Sequence, residues 1–458
     1  MDSILVRLRF FSHRNVSGIF LSPSMCQKLQ LMPRQPITLS LGKREVPAVV
    51  IQDKKQPDSN TVRLTNSLRR ELYIPHGGLI HLKREGNVLR IGPAIGIVTT
   101  GVRQDATRPV GMRTSAFYKL LLAQRGKGVF YYIFSPSDID WDRNTVDAWF
   151  LRPTADGRYQ WQYMTTAVPD VVYDRIPSRN AERQEQVKDF KLRLYTKVNL
   201  PMFNCGFFNK WGVHKLLYPL EDVKEFIPET YSHASLENLR QMLKKYRMVY
   251  LKPKNGSLGY GIVKVVRQPG RGFKVSYHTA GGNVERSFNS YSSLYQHVFR
   301  NRRPSAYLVQ QGVELHTYQN RPFDFRVHMH KNLQNDWVVS CMAAKVAGPG
   351  SVTTHVRTGG TVIPGSDLLK SIFGIEWPLI EQKINSAAIR IAKAIEETKG
   401  DPLGELGLDM GIDVYGHVWM FEANSKPGRS VFKHAALKQA DELSRSLLID
   451  FSCFLANF

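Results

Sequence analysis

The stretch YLKPKNGSLGYGIVKV, residues 250–265, is the part of the chain from which the rest can be read. Alternation predicts a strand over Met248–Lys252, with Lys252 directly before Pro253. Gly256, Ser257, Gly259 and Gly261 follow, then a second strand over Ile262–Val266. Glycines admit positive φ and let backbone N–H groups turn inward around an anion. Ser257 adds a hydroxyl donor and Lys252 a point charge. That is a phosphate clamp built as a hairpin loop. It is not a Walker loop, because no GK[ST] follows and no helix opens at its end. A glycine hairpin without a ligand fits the same letters, so the reading depends on what converges with it.

Far downstream lies LGLDMGIDVYGHVWMFEANSKPG, residues 406–428. Asp409 sits in one short strand. Glu422 and Asn424 sit in the next, two apart and so on one face. Two carboxylates and an amide carbonyl are hard oxygen ligands suited to Mg²⁺ that also touches phosphate. A structural salt bridge at Glu422 is the rival reading. Between the two motifs, YLVQQGVEL (307–315) ends in a segment whose backbone, at Gln310, Gln311 and Val313, can bond an adenine edge. In RPFDFRVHMHK (321–331) Asp324 and Arg326 share a face. Asp324 suits a ribose hydroxyl, and Arg326 suits developing phosphate charge. His328 and His330 continue that face and are expected to be satisfied sheet residues. Residues 343–364, carrying Lys345, His355 and Arg357, read as a polar loop fit to cover a site.

Working outward, 458 residues suggest about three domains. The expected divisions are 1–92, 93–202 and 203–458. The net charge of +24 permits nucleic acid, an anionic polymer or a polyphosphate as partner. Residues 401–458 instead carry eight acids against five bases, as a cation site beside phosphates would. Cys26, Cys205, Cys341 and Cys453 lie far apart without CxxC, which excludes a zinc knuckle or disulfide framework. No apolar run reaches the roughly 18 residues a membrane helix needs. The N-terminus reads as a first strand, not a signal peptide, so a cytoplasmic protein is expected.

The front contains a repeat. LSPSMCQKLQL (21–31) matches LTNSLRRELYI (64–74) without gaps, each a Ser/Thr cap, a short helical turn and then a strand. Two interlocked copies resemble a small double-psi barrel, a common binding module. GPAIGIVTT (92–100), SAFYKLLLAQRGKG (115–128) and GVFYYIF (128–134) form a β-α-β pattern, which predicts a small parallel sheet. SLENLRQMLKKYR (235–247) is a helix beginning at Ser235, and 379–400 is a long one stopping at Gly400. ALKQADELSRSLLIDF (436–451) is a closing helix.

Taken in order, Lys210, KPKNGSLGYG, QQGVEL, DFRV and D-x12-E-x-N resemble the ATP-grasp superfamily. GPAIGIVTT, FIPET, YLKPKNGSLGYGI, RPFDFRVHMHKN and the 406–428 stretch resemble the YheC/YheD family, which is associated with the endospore coat. The resemblance implies an α+β / α/β chain: an ATP-grasp fold preceded by a small α/β pre-grasp domain and the barrel module. It implies ATP and Mg²⁺, with a carboxylate phosphorylated and then attacked by an amine or thiol. By position, Lys252 matches the second ATP lysine and Lys210 the first, with Lys215 as the alternative. Gly256–Gly261 match the phosphate loop, Asp324 the acid near the ribose, and Asp409, Glu422 and Asn424 the metal ligands. Arg326 and Arg357 are the candidate charge stabilisers. Some peptide-forming members carry an arginine two residues before the first metal carboxylate, where this chain has Gly407. Two alternatives stand beside the ligase. One is a nucleotide-binding coat protein with little turnover, partnered by coat proteins. The other is a basic module for an anionic polymer. Nucleic acid ranks last, because no aromatic-interleaved motif is present, and no membrane partner is expected.

Overall fold

The computed structural model describes residues 3–12, 17–54, 60–256, 260–279, 282–349, 354 and 359–458. Two compact units emerge. The first is Met1–Gly206 with Lys331–Asp336 and Arg445–Phe458; the second is Phe207–His330 with Trp337–Ser444.

The first unit opens with β1 (Ile4–Phe11), β2 (Gly18–Leu21), α1 (Pro23–Lys28), β3 (Pro36–Leu41) and β4 (Arg44–Gln52). It continues with β5 (Thr61–Thr65), α2 (Asn66–Glu71), β6 (Gly78–Glu85) and β7 (Val88–Gly92). These strands close a barrel in the order β1-β5-β2-β4-β3-β7-β6. The repeat explains that order. β1 lies parallel to β5 and β4 parallel to β2, so each copy's first strand pairs with the other copy's second strand. The interlocking expected of a double-psi barrel is present. Closure leaves no edge strand, and the interior fills with aliphatics such as Leu8, Leu39 and Leu64.

Next come β8 (Ala94–Val98), α3 (Thr114–Leu122), β9 (Phe130–Phe134), β10 (Ile139–Asp140), β11 (Thr145–Pro153), β12 (Tyr159–Ala167) and β13 (Val171–Asp174). They are followed by α4 (Arg179–Glu182), α5 (Glu185–Arg193) and β14 (Met202–Phe203). β8 and β9 are parallel across α3, as the β-α-β pattern requires, and β11 and β12 form the expected hairpin. One apolar cluster runs from the barrel's Leu8 and Leu64 to Phe134 and Phe150 of this sheet.

The second unit holds two sheets. Its first half is α6 (Lys210–Leu217), α7 (Glu221–Lys224), β15 (Thr230–Tyr231), α8 (Leu236–Lys245), β16 (Met248–Pro253), β17 (Val263–Gln268), β18 (Gly272–Thr279), β19 (Gly282–Phe288), α9 (Tyr291–Phe299) and β20 (Tyr307–Gln311). The strands order as β15-β20-β16-β17-β18-β19. Leu239, Met242 and Leu243 of α8 pack on Val249, Leu251 and Val309. Its second half is β21 (Thr317–Tyr318), β22 (Arg321–Lys331), β23 (Trp337–Val346), β24 (Thr361–Pro364), α10 (Gly365–Phe373), α11 (Trp377–Lys399), β25 (Glu405–Ile412), β26 (Val418–Asn424) and α12 (Lys438–Leu455). Here the order is β24-β23-β22-β25-β26.

Alternation then separates two chemistries on the second sheet. Phe323, Phe325, Val327 and Met329 of β22 and Leu406, Leu408 and Met410 of β25 join the Ile384, Ala388 and Ile391 stripe of α11 in one core. The intervening residues, Asp324, Arg326, His328 and His330, face the other way.

Two expectations change. Residues 343–364 are not one loop: β23 runs through Lys345 to Val346, and β24 begins at Thr361. The end of the closing helix, expected with residues 203–458, clusters with the first unit. There Leu448, Ile449 and Phe451 pack with Phe117, Leu121 and Phe203. Periodicity predicts a buried face and not which partner buries it. Among the described residues no helix is long and apolar enough to cross a membrane.

Candidate functional site

The strands flanking the glycine stretch form as read. β16 and β17 pair antiparallel on either side of it. Gly261 has φ +75°, and a Cβ there would lie 3.1 Å from both Pro253 Cγ and the Tyr307 hydroxyl, so glycine is required. Gly256 accepts at its carbonyl from Lys210 Nζ, 2.8 Å away. Ser257 and Gly259 lie outside the described residues.

Lys210 opens α6 because Asn209 caps it, accepting from the N–H groups of Trp211 and Gly212. Asn209 also donates to Asn255 Oδ1 at 2.7 Å. Lys210 Nζ is 2.9 Å from Glu422 Oε1. One ammonium therefore joins the glycine loop of the first sheet to β26 of the second. Lys215, the alternative, is exposed.

Lys252 donates to Gln310 Oε1, and Gln310 Nε2 donates to Thr230 at 3.1 Å. Burial pulls the Lys252 ammonium down to about 8; Glu422 resists and neighbouring Lys210 assists. Phe421 lies 5.7 Å from its Nζ. The adenine-edge segment is partly spent. Gln311 N–H donates to Glu229 O at 2.8 Å and its Oε1 accepts from Glu229 N–H, because a strand residue puts its backbone groups into the sheet. Gln310 contributes its side chain to Lys252. Val313, past the strand end, is buried.

On the second sheet Asp409 is gripped from two strands. Arg326 Nε and Nη2 donate to its two oxygens at 2.7 and 3.0 Å, and Lys345 Nζ donates at 3.0 Å. Burial opposes ionisation of Asp409, but Arg326 and Lys345 outweigh it and hold the carboxyl well below the usual range. Lys345 also reaches Asp324 Oδ1 at 2.9 Å, and Thr354 donates to Asp324 Oδ2 at 2.6 Å. Burial raises the Asp324 carboxyl, against the pull of Lys345. The residue expected at the ribose thus already holds two partners. Arg357, the other candidate stabiliser, and His355 lie outside the described residues.

Asp409 and Glu422 are direct cross-strand partners, while Asn424 stands opposite Gly407. Among the described residues no three His, Cys, Asp or Glu side chains cluster at metal-holding distance. The donors are nonetheless two carboxylates and an amide oxygen, hard ligands that fit Mg²⁺ when phosphate oxygens complete the shell.

His330 meets the expectation in part: Nδ1 lies 2.7 Å from Ser340 Oγ, while the buried Nε2 has no hydrogen-bond partner and stands 3.7 Å from Glu405 Oε2. His328 does not: it is fully buried, and neither ring nitrogen has a hydrogen-bond partner. Sequence reasoning set Lys345 in a loop and passed over Asn209. The run WVVSCMAAKV places Lys345 on alternation with Cys341 and Ala343, and that signal was available. Asn209 before an amphipathic helix is an ordinary cap signal.

The family model described as YheC/D-like ATP-grasp matches residues 199–455. The endospore coat-associated protein YheD of Bacillus subtilis is 34% identical over 400 residues, 86% of each chain. YheC of the same organism, also named endospore coat-associated, is 24% identical over 72% of this chain and 89% of its own. Among solved structures, D-alanyl-alanine synthetase A from Vibrio cholerae is 13% identical across 80% of this chain and 99% of its own, with a TM-score of 0.44. The ATP-grasp ligase PsnB with its minimal precursor is 14% identical across 78% and 98%, with a TM-score of 0.42.

Proposed function

The chain belongs to the YheC/D-like ATP-grasp family, and from that premise we propose that it is an ATP- and Mg²⁺-dependent carboxylate–amine ligase. The observation that carries the proposal is Lys210, which spans Gly256 and Glu422 and so ties a phosphate-type loop to a hard-oxygen edge. Four cations (Lys210, Lys252, Arg326, Lys345) stand against three carboxylates (Asp324, Asp409, Glu422). That excess of positive charge suits a polyphosphate whose charge shifts during transfer.

In this reading Lys252, Lys210 and the glycine loop hold the phosphates, and Val313 lies at the adenine edge. Glu422, Asn424 and Asp409 would hold Mg²⁺, which supplies charge neutralisation between phosphate oxygens. For Asp409 to ligate, it must give up part of its contact with Arg326 or Lys345, and that frees a cation for the reacting oxygens. The substrate carboxylate oxygen attacks the γ-phosphorus, and the bond to the β-phosphate oxygen breaks, releasing ADP. The amine nitrogen then attacks the acyl carbon, phosphate leaves, and the amine proton departs with it. Arg326 is positioned to offset the charge of both steps.

The test is calorimetric binding of Mg·ATP to the full chain, to Lys252→Ala and to Glu422→Ala, with an ADP-release screen over acids and amines. Loss of binding in both variants supports the reading. Unchanged affinity in both would overturn it. The names of the relatives favour a second reading, a coat-associated protein that binds nucleotide without turnover. It predicts tight Mg·ATP binding and no ADP release with any pair.

A further inference from the structure

The first unit carries a cavity of its own. About 710 Å³ of space lies between β12 and the end of α2 with the turn after it. Ligand sites usually enclose roughly 300–1,000 Å³. Arg69, Arg70 and Tyr73 line one side, and Met164 and Thr165 the other. Ile74 and Pro75 add apolar surface. Arg70 and Thr165 are exposed, so the cavity opens to solvent.

The charge on the arginine side is uncompensated. Arg69 donates through Nε to Ile74 O at 3.3 Å and through Nη2 to Pro75 O at 3.1 Å, and it stacks over the Phe10 ring at 4.5 Å. Those contacts fix the guanidinium and leave Nη1 unspent. Arg44 adds a third cation, stacked over the Tyr73 ring at 5.0 Å. Among the described residues none of Arg44, Arg69 and Arg70 pairs with a carboxylate.

The barrel repeat is an internal control. Arg69, Arg70 and Tyr73 match Cys26, Gln27 and Gln30 of the first copy. Gln30 and Tyr73 have φ +52° and +53°, so the left-handed turn belongs to the barrel. The two cations and the ring do not: in the first copy the Arg69 position is the buried Cys26.

β12 narrows the ligand. It pairs with β11 alone, from Tyr159 to Ala167, so its outer edge is open among the described residues to an added strand. A peptide can use such an edge, and a small acid cannot. The apolar surface of Ile74, Pro75 and Met164 suits side chains better than the phosphates of a nucleic acid. Residues 1–92 carry fifteen bases against six acids, which draws an acidic partner.

We propose that this cavity binds an extended acidic segment of a partner protein. Its carboxylates meet Arg69 and Arg70, and its apolar side chains, on the other face of the strand, meet Ile74 and Met164. The inference is independent of the ligase reading.

The experiment follows fluorescence anisotropy of a labelled pentapeptide of alternating leucine and glutamate, titrated with the full chain. Saturable binding is expected. The glutamine counterpart should bind at least about tenfold more weakly, the scale of one charged hydrogen bond. Arg70→Glu and Thr165→Phe alter opposite sides of the cavity, and each should lower affinity by a similar factor. Lys28→Glu makes the same charge change on the exposed surface of the matching turn and should leave affinity unaltered. No saturable binding, equal affinity for the glutamine peptide, or an equal loss in Lys28→Glu would each overturn the proposal. So would hexanoate binding as tightly as the peptide, the mark of a small-acid site, or tighter binding of oligothymidylate, the mark of a nucleic-acid surface. If Arg70→Glu or Thr165→Phe does not fold, the glutamate–glutamine comparison decides alone.

Discussion

The barrel of the first unit and the paired sheets of the second both bury one side of their strands, but they bury different things. The barrel interior is aliphatic, and each strand's apolar side points inward. The second unit turns one face of β22 to an equally apolar core and the other to Arg326, Lys345, Asp324 and Asp409. Buried charges seldom contribute net stability over well-packed apolar groups, although breaking one such pair is severe. Four ion-paired groups where an apolar sheet would serve fit the proposed role of holding charge in place for a ligand.

The sharpest way to break this comparison is Asp409→Ala. It strands Arg326, a buried cation held bidentately by that carboxylate, and leaves Lys345 with Asp324 as its remaining carboxylate partner. Urea unfolding should show a loss of about 3–5 kcal/mol, the usual scale for removing one partner of a buried pair. The double variant Asp409→Leu/Arg326→Met should recover part of that loss, because it removes charge from both sides. A loss of a few tenths of a kcal/mol in the single variant would mean the network is hydrated and inert.

The barrel counterpart is Leu64→Ala. Leu64 is fully buried on β5, and the truncation should cost about 2–5 kcal/mol. Mg·ATP affinity, measured well below the melting temperature, should not change. A matching fall in affinity would erase the distinction between the two regions.

Much of this contrast was legible in the sequence, for stated reasons. The hairpin strands on either side of the glycines were readable because their pairing is local: β16 and β17 need only two short alternating runs close together in sequence. The barrel was readable because it repeats, and a repeat reveals pairing as well as pattern. Lys210 was separable from Lys215 only by family position, and the structure gives the physical reason in the Asn209 cap. What stayed hidden was whatever depends on a distant partner. Lys345 beside a Gly/Thr-rich segment looked like loop until its pairing with Asp324 and Asp409 was seen. Gln311 looked available until Glu229 took its N–H. His328 looked like His330, since nothing in RPFDFRVHMHK says that Ser340 reaches one ring and not the other.

The third prediction concerns pH. Lys252, drawn down to about 8 by burial, is charged below that value and neutral above it. The charged form is the one that holds phosphate, so Mg·ATP affinity should be flat below pH 8 and fall above it. Bound phosphate raises the lysine's pKa, so the fall should approach tenfold per pH unit, or ~1.4 kcal/mol. Lys252→Arg should flatten the profile, because a guanidinium stays charged. Leu64→Ala should leave it unchanged. A profile in the unaltered chain that stays flat to pH 10 would remove Lys252 from the phosphate site.

The smallest effect lies inside the barrel and tests how far its two copies are alike. Ser22 caps α1, its Oγ accepting from Met25 N–H at 3.2 Å. The matching Thr65 makes no side-chain cap to α2; its hydroxyl lies 3.0 Å from Ser67 Oγ instead. Ser22→Ala should therefore cost about 1 kcal/mol, the typical value of a lost cap, and Thr65→Val distinctly less. Urea midpoints of the two variants check this. Topology makes the copies equivalent, whereas the caps are local chemistry that each copy settles for itself. Equal costs would mean that the helical turns are held by packing of Met25 and Leu68 alone. Neither variant touches a group that holds charge, so both should leave Mg·ATP affinity where it was, and that invariance separates a region that takes no part in nucleotide binding from one that does.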